Sequence, residues 1–313
     1  MRWSLQIANL KGANPGNLYT GKRILFHSKQ SRIAGGRPAE FDPVARPGTL
    51  AGTTTHFNIY YASVLGASGD KIAQGVLEAC ERDYEILAGY FGLERSRQFN
   101  VILAPLSPYM DGTGGSYHDS CFSTNLYCDV QISPKVNPEV SNAVLVAAVV
   151  DVFAAMQKGG WNCGSSNGEG LSRVLAAQLH PGALEGLGYL SAPAWLNSPR
   201  PNYVARTYPT DRYRVANGCS VLFLNYLHFQ LGFGWDKICQ AAAPTLAGSY
   251  QALTGKPQPF PGFSLLLNRK FPPGQLADLL SDNPFPIHGV AQAGCLPGVN
   301  EGESRNPTVL RSK

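Results

Sequence analysis

Charge is scarce in this chain. Only 15% of its 313 residues are Asp, Glu, Lys or Arg, and the formal net charge is +5 at pH 7. The basic residues are scattered, with small groups at Lys22–Arg23 and Arg311–Lys313. A nucleic-acid patch is therefore not expected. Long apolar runs are lacking too. The longest, Ala143–Met156, is broken by Asp151 and is too short to span a bilayer. The opening MRWSLQIANLKGANPG has no continuous apolar stretch, so no secretory leader is expected in it. The expected location is the cytoplasm, or outside it by a route without a signal. No C-x-x-C pair occurs, which argues against a structural zinc site. Tandem repeats are absent.

The 7 cysteines are Cys80, Cys121, Cys128, Cys163, Cys219, Cys239 and Cys295. An odd count at wide spacing is not a disulfide framework. Cys80, Cys219 and Cys239 sit on apolar helix faces and read as small core residues. Cys121 and Cys128 are close enough in sequence to pair across a local turn in an oxidising compartment. What the chain has in quantity is 34 Gly and 23 Pro, which implies many turns.

Residues 1–50 are irregular, rich in Pro, Gly and Arg, with a short strand expected near Ile24–Phe26. TTTHFNIYYAS (53–63) is β-branched and aromatic, with Phe57, Ile59 and Tyr61 on one face, and predicts a strand. A long helix capped near Ser68–Asp70 should follow, burying Ile72, Val76, Cys80, Tyr84, Leu87 and Phe91, with Gly92 as its C-terminal stop. FNVILA (99–104) is apolar enough to be a central strand. The stretch 111–133 reads as a Gly-rich loop leading into an edge strand, Leu126–Ile132. Its GTGGS segment lacks the Lys and following helix of a phosphate-binding loop. Helices are expected from about Glu139 to Gln157 and from Gly168 to Leu179, separated by a turn-rich loop. Residues 187–214 are aperiodic, and helices are predicted at Val215–Leu231, Asp236–Ala242, Tyr250–Gly255 and Phe260–Phe271.

Two local features point to a family. Asn167-Gly168-Glu169-Gly170-Leu171-Ser172 looks like the helix start that supplies the third metal ligand in gluzincin metallopeptidases. Gly218–Gly232 followed by Leu253-Thr254-Gly255 looks like the helical part that closes their cleft. The order strand, long helix, strand, edge strand, helix, loop, Glu-bearing helix is similar to the same branch, and the resemblance covers roughly residues 53–271. On that alignment Ala147-Ala148-Val149-Val150-Asp151 occupies the His-Glu-x-x-His turn, and Glu169 falls eighteen residues after Asp151. Ala147 stands where the first His would be, Ala148 where the general base would be, and Asp151 where the second His would be. Two carboxylates are too few for catalytic zinc, which takes three protein ligands. No metal and no cofactor are expected.

The resemblance implies an α+β fold: a zincin-like twisted mixed sheet with packed helices, then a mainly helical C-terminal subdomain. The expected divisions are an arm (1–50), the zincin-like domain (51–185), the helical subdomain (186–290) and a polar tail (291–313). It further implies an inactive, metallopeptidase-like binding or assembly module, with a protein partner or self-association. A peptide or small molecule could enter a cleft near Trp161, Asn167, Glu169, Arg173, Tyr203 and Tyr208, although core packing suits most of the aromatic residues. Arg173 lies four residues after Glu169, at the spacing of a helical ion pair. Two catalytic alternatives remain: a hydrolase around Asp151, Glu169 and His118, or a cysteine hydrolase pairing Cys121 or Cys163 with His118. A structural homo-oligomer using the arm is the third class. Glu169 also has a plain reading as a helix-start carboxylate that helps cap its helix.

Overall fold

In a strand, alternation decides which face is buried, and between Phe57 and Tyr61 it does so cleanly. Phe57 and Ile59 are sealed while Asn58 and Tyr60 are not. A computed structural model describes residues 27–28 and 48–288, apart from 95, 106–114, 119, 131–136, 158, 186 and 210–211. The strands are β1 (His27–Ser28), β2 (Thr49–Thr53), β3 (Phe57–Tyr61), β4 (Phe99–Ala104), β5 (Ser116–His118) and β6 (Asn125–Asp129). The helices are α1 (Gly66–Phe91), α2 (Pro138–Met156), α3 (Ser166–Leu179), α4 (Ala192–Leu196), α5 (Arg214–Asn225), α6 (Trp235–Gln240), α7 (Leu246–Thr254) and α8 (Phe260–Lys270).

The strands form one mixed sheet in the order β1-β5-β6-β4-β3-β2. β3, β4 and β6 run parallel. β2 and β5 run antiparallel to their inner neighbours, and β1 follows β5. β4 is central and buried at every position but Asn100, as its composition predicts. Every residue of the predicted α1 stripe is buried, and Gly92 ends the helix at φ 61°, ψ 41°, donating to the Ala88 and Gly89 carbonyls. α2 starts with Asn137 accepting from the Glu139 N–H and with Pro138 in the first turn. From Ser141 to Ala154 every residue of α2 is buried. A helix apolar all round belongs inside a core, and α2 packs against α1, α3, β5 and β6. It is the one described helix that is long and apolar enough to cross a membrane, and 78% of that window is buried inside the fold. Phe57, Tyr84, Phe91, Phe99 and Phe153 interlock in edge-to-face, stacked and tilted contacts and join the sheet, α1 and α2. After residue 186, the described regular elements are all helical.

Several expectations need correction. β6 is no edge strand: β5, a three-residue strand inside the expected loop, pairs along its outer side. β2 precedes the predicted strand and folds back on it as a hairpin. α1 begins at Gly66 without a side-chain cap, so Ser68–Asp70 is not its cap. α4 lies inside the aperiodic stretch, and the helix expected to reach Leu231 turns π-helical over Tyr226–Gln230. Ile24–Phe26, GTG at 112–114, most of the arm and the tail lie outside the described residues.

Candidate functional site

The apolar run of α2 carries a single acid, Asp151, and burial leaves it no water. Its Oδ2 meets His118 Nε2 of β5 at 3.2 Å, and both side chains are nearly inaccessible. His118 Nδ1 lies 2.7 Å from the Ser120 carbonyl, which can only accept, so Nδ1 carries a hydrogen. The contact to Asp151 then holds one further proton, on the imidazole or on the carboxyl. Burial raises the Asp151 carboxyl above the usual range, opposed by the His118 and Ser172 hydrogen bonds and by the Arg173 charge.

On α3, Arg173 Nε donates to Glu169 Oε1 at 2.6 Å, and the pair is 9% and 1% exposed. Arg173 Nη1 also donates to the Tyr189 carbonyl at 2.8 Å. The helical pair expected from the spacing is therefore present. Glu169 ties to Arg173 through its side chain, and Ser165 forms no side-chain cap. Asp282 completes the surroundings: its carboxylate accepts from the Ser191 N–H and hydroxyl and from the Ala192 N–H. Burial raises its pKa, against those hydrogen bonds and the Arg173 charge. The Tyr189 phenol is driven far above its ordinary value by burial first, then by the Asp129 charge.

The Gly-Glu-Gly sequence has a packing cause. A Cβ on Gly168 would sit 2.4 Å from the Asn162 carbonyl oxygen, and one on Gly170 would sit 2.6 Å from the Ser220 Cβ of α5. The start of α3 is wedged between the preceding loop and α5, and Glu169 is held inside as a result.

The predicted site residues separate on this frame. His118 and Asp151 meet, and Glu169 meets Arg173. Ala147 and Ala148 are fully buried in α2. Among the described residues no group of three or more His, Cys, Asp or Glu is placed to hold a metal ion. Trp161 is a core residue whose indole N–H donates to the Cys239 carbonyl at 2.8 Å. Asn167 Nδ2 donates to the Gly160 carbonyl at 3.2 Å. Tyr203 packs edge to face against Tyr208 and Tyr213, and Tyr208 meets Tyr213 in a tilted contact. Of the six cleft candidates only Arg173 lines the cavity beside α3; Trp161, Asn167, Glu169, Tyr203 and Tyr208 do not.

Cys121 is disulfide-bonded to Cys163, at a Cα–Cα distance of 5.9 Å. The Cys121–Cys128 pairing that the spacing allowed does not form: Cys128 lies buried on β6 as a free thiol. The cysteine-hydrolase alternative falls with it, since neither sulfur is a free nucleophile. Tyr189 and Asp282 join this region without a sequence signal: one sits in an aperiodic stretch, the other in an ordinary Ser-Asp-Asn turn. Ser172 was findable, three residues after Glu169 and so on the same helix face. No family model, curated protein or solved structure matches the chain.

Proposed function

We propose that this chain is a zincin-like scaffold without peptidase activity, serving as a binding or assembly module for a protein partner or a second copy of itself. The carrying observation is the sealed polar cluster at the positions where the resemblance expects metal chemistry. Asp151 is bonded to His118 and Glu169 to Arg173, with side-chain exposures between 0% and 9%. A hydrolytic site needs a nucleophile or an activated water with access for substrate. Here the Arg173 guanidinium supplies the positive charge that Glu169 needs, and Ala148 offers no base. The sequence of β3, α1, β4, antiparallel β5, β6, α2 and α3 supports the zincin-like reading. The Cys121–Cys163 bond favours an oxidising compartment.

The test is cleavage of a quenched fluorescent peptide library by protein purified without chelator or metal-affinity resin, together with its zinc content by mass spectrometry. No cleavage above that of Glu169→Gln, and zinc below about a tenth of an equivalent, is expected; a catalytic site with three protein ligands would hold close to one equivalent. Zinc-dependent cleavage that Glu169→Gln abolishes would establish the hydrolase at Asp151, Glu169 and His118 instead.

A further inference from the structure

Directly after Asn225, α5 gives way to its π-helical turn. Such turns are rare and gather at functional positions. This one sets Asn225 and Phe229 into the wall of a cavity of about 220 Å³, which is completed by α3, residues 180–182, 184–185, 189–190 and 281–283. The wall is largely apolar, with Val174, Ala177, Leu184, Leu190, Val221 and Phe229. Three of its ionisable side chains, Arg173, His180 and Asp282, are already engaged. Arg173 is held by Glu169 at 2.6 Å. His180 lies between Asp83 at 2.7 Å and Glu139 at 2.9 Å. Asp282 is saturated by Ser191 and Ala192. Glu185 stands exposed in solvent. A charged ligand would lose its hydration here, and only the solvated Glu185 carboxylate is left as a countercharge.

Asn225 differs from these. It is 5% exposed and its Nδ2 donates to the Asp282 carbonyl at 3.2 Å, while its Oδ1 receives no hydrogen bond from any described residue. An amide oxygen on a cavity wall with no donor among the described residues is free to accept a hydrogen bond from a ligand. An apolar cavity of about 150 Å³ takes a benzene ring, so this one has room for a ring and a polar substituent. We propose that the cavity binds a small uncharged ligand, largely apolar, whose single amide or hydroxyl group pairs with Asn225. The site does not rest on the inactive reading of the His118–Asp151 region, and its test reads binding alone.

The test is titration of the full chain with benzamide, benzyl alcohol, benzoate and benzylamine, followed by amide chemical shifts. Benzamide and benzyl alcohol should saturate, with shifts at Val174, Val221 and Asn225, and the two charged compounds should bind at least about tenfold more weakly. Ala177→Phe, on an exposed turn of α3, fills the cavity and should abolish binding. Asn225→Leu should weaken benzamide by about fivefold or more. The proposal is overturned if neither neutral compound saturates at millimolar concentration, if a charged one binds as well, or if benzamide binding survives Ala177→Phe.

Discussion

His180 ends α3 with its ring gripped from two sides, Nε2 by Asp83 at 2.7 Å and Nδ1 by Glu139 at 2.9 Å. Burial alone would lower its pKa, but hydrogen bonds and charge from the two carboxylates outweigh that and raise it. Arg82, paired to Asp83 at 2.9 Å, is the cation on the same carboxylate. The sign follows. A raised histidine contributes stability that is fully present below its ordinary pKa of about 6.5 and is lost as pH rises through the higher folded value. Urea unfolding near pH 6 and near pH 9 should therefore show a loss for the native chain that is smaller in His180→Gln. Equal slopes in the two proteins would remove His180 from the account. At this scale some of the site was legible. Asp151 stood out as the lone acid in an apolar run, and Arg173 was paired to Glu169 by helical spacing alone. Asp83, Glu139 and His180 come from three helices, and nothing in their spacing announces that they meet.

Between elements, glycine decides how closely helices approach. Gly170 brings α3 against α5, where a Cβ would fall 2.6 Å from Ser220 Cβ. Gly218 of α5 lies under the Ser191 carbonyl, where a Cβ would come within 2.1 Å of the oxygen. Gly89, in α1, has nothing within 4 Å. Alanine at Gly170 or Gly218 should lower the unfolding free energy by about 1–3 kcal/mol through overpacking. At Gly89 it should raise stability by about 0.5–1 kcal/mol through helix propensity. Denaturant midpoints of the three variants check both signs, and a neutral Gly218→Ala would refute the close approach. Elements with long apolar patterns were readable: the six-residue stripe of α1, the nearly all-apolar β4, the all-round apolar α2. β5 was hidden because three residues make no period, and its partner β6 was therefore misread as an edge. α4, with five residues, escaped for the same reason.

Across the whole molecule the Cys121–Cys163 disulfide joins the turn after β5 to the loop before α3 and closes a ring of sequence separation 42. That ring contains β6 and all of α2. Closing a loop of this length restricts the unfolded chain by about 4 kcal/mol on the chain-entropy account. Replacing both cysteines by serine should lower the unfolding free energy by that order in urea. A loss under about 1 kcal/mol would mean that the two loops stay docked without the sulfur bridge. Sequence spacing could not find this pair, because only the folded β5–β6 turn and the α3 start bring the two positions together. The remaining described thiols, Cys80, Cys128, Cys219 and Cys239, are buried, and burial raises each of their pKa values.

The ring also has a mechanical meaning. A force applied at the two chain ends bypasses everything between the bridged cysteines, so the most buried helix bears no tension while the bond is intact. Stretched to its limit, the oxidised chain should be about 140 Å shorter than the reduced one, the contour of the 42-residue separation. Adding a reductant under load would release that hidden length in one step.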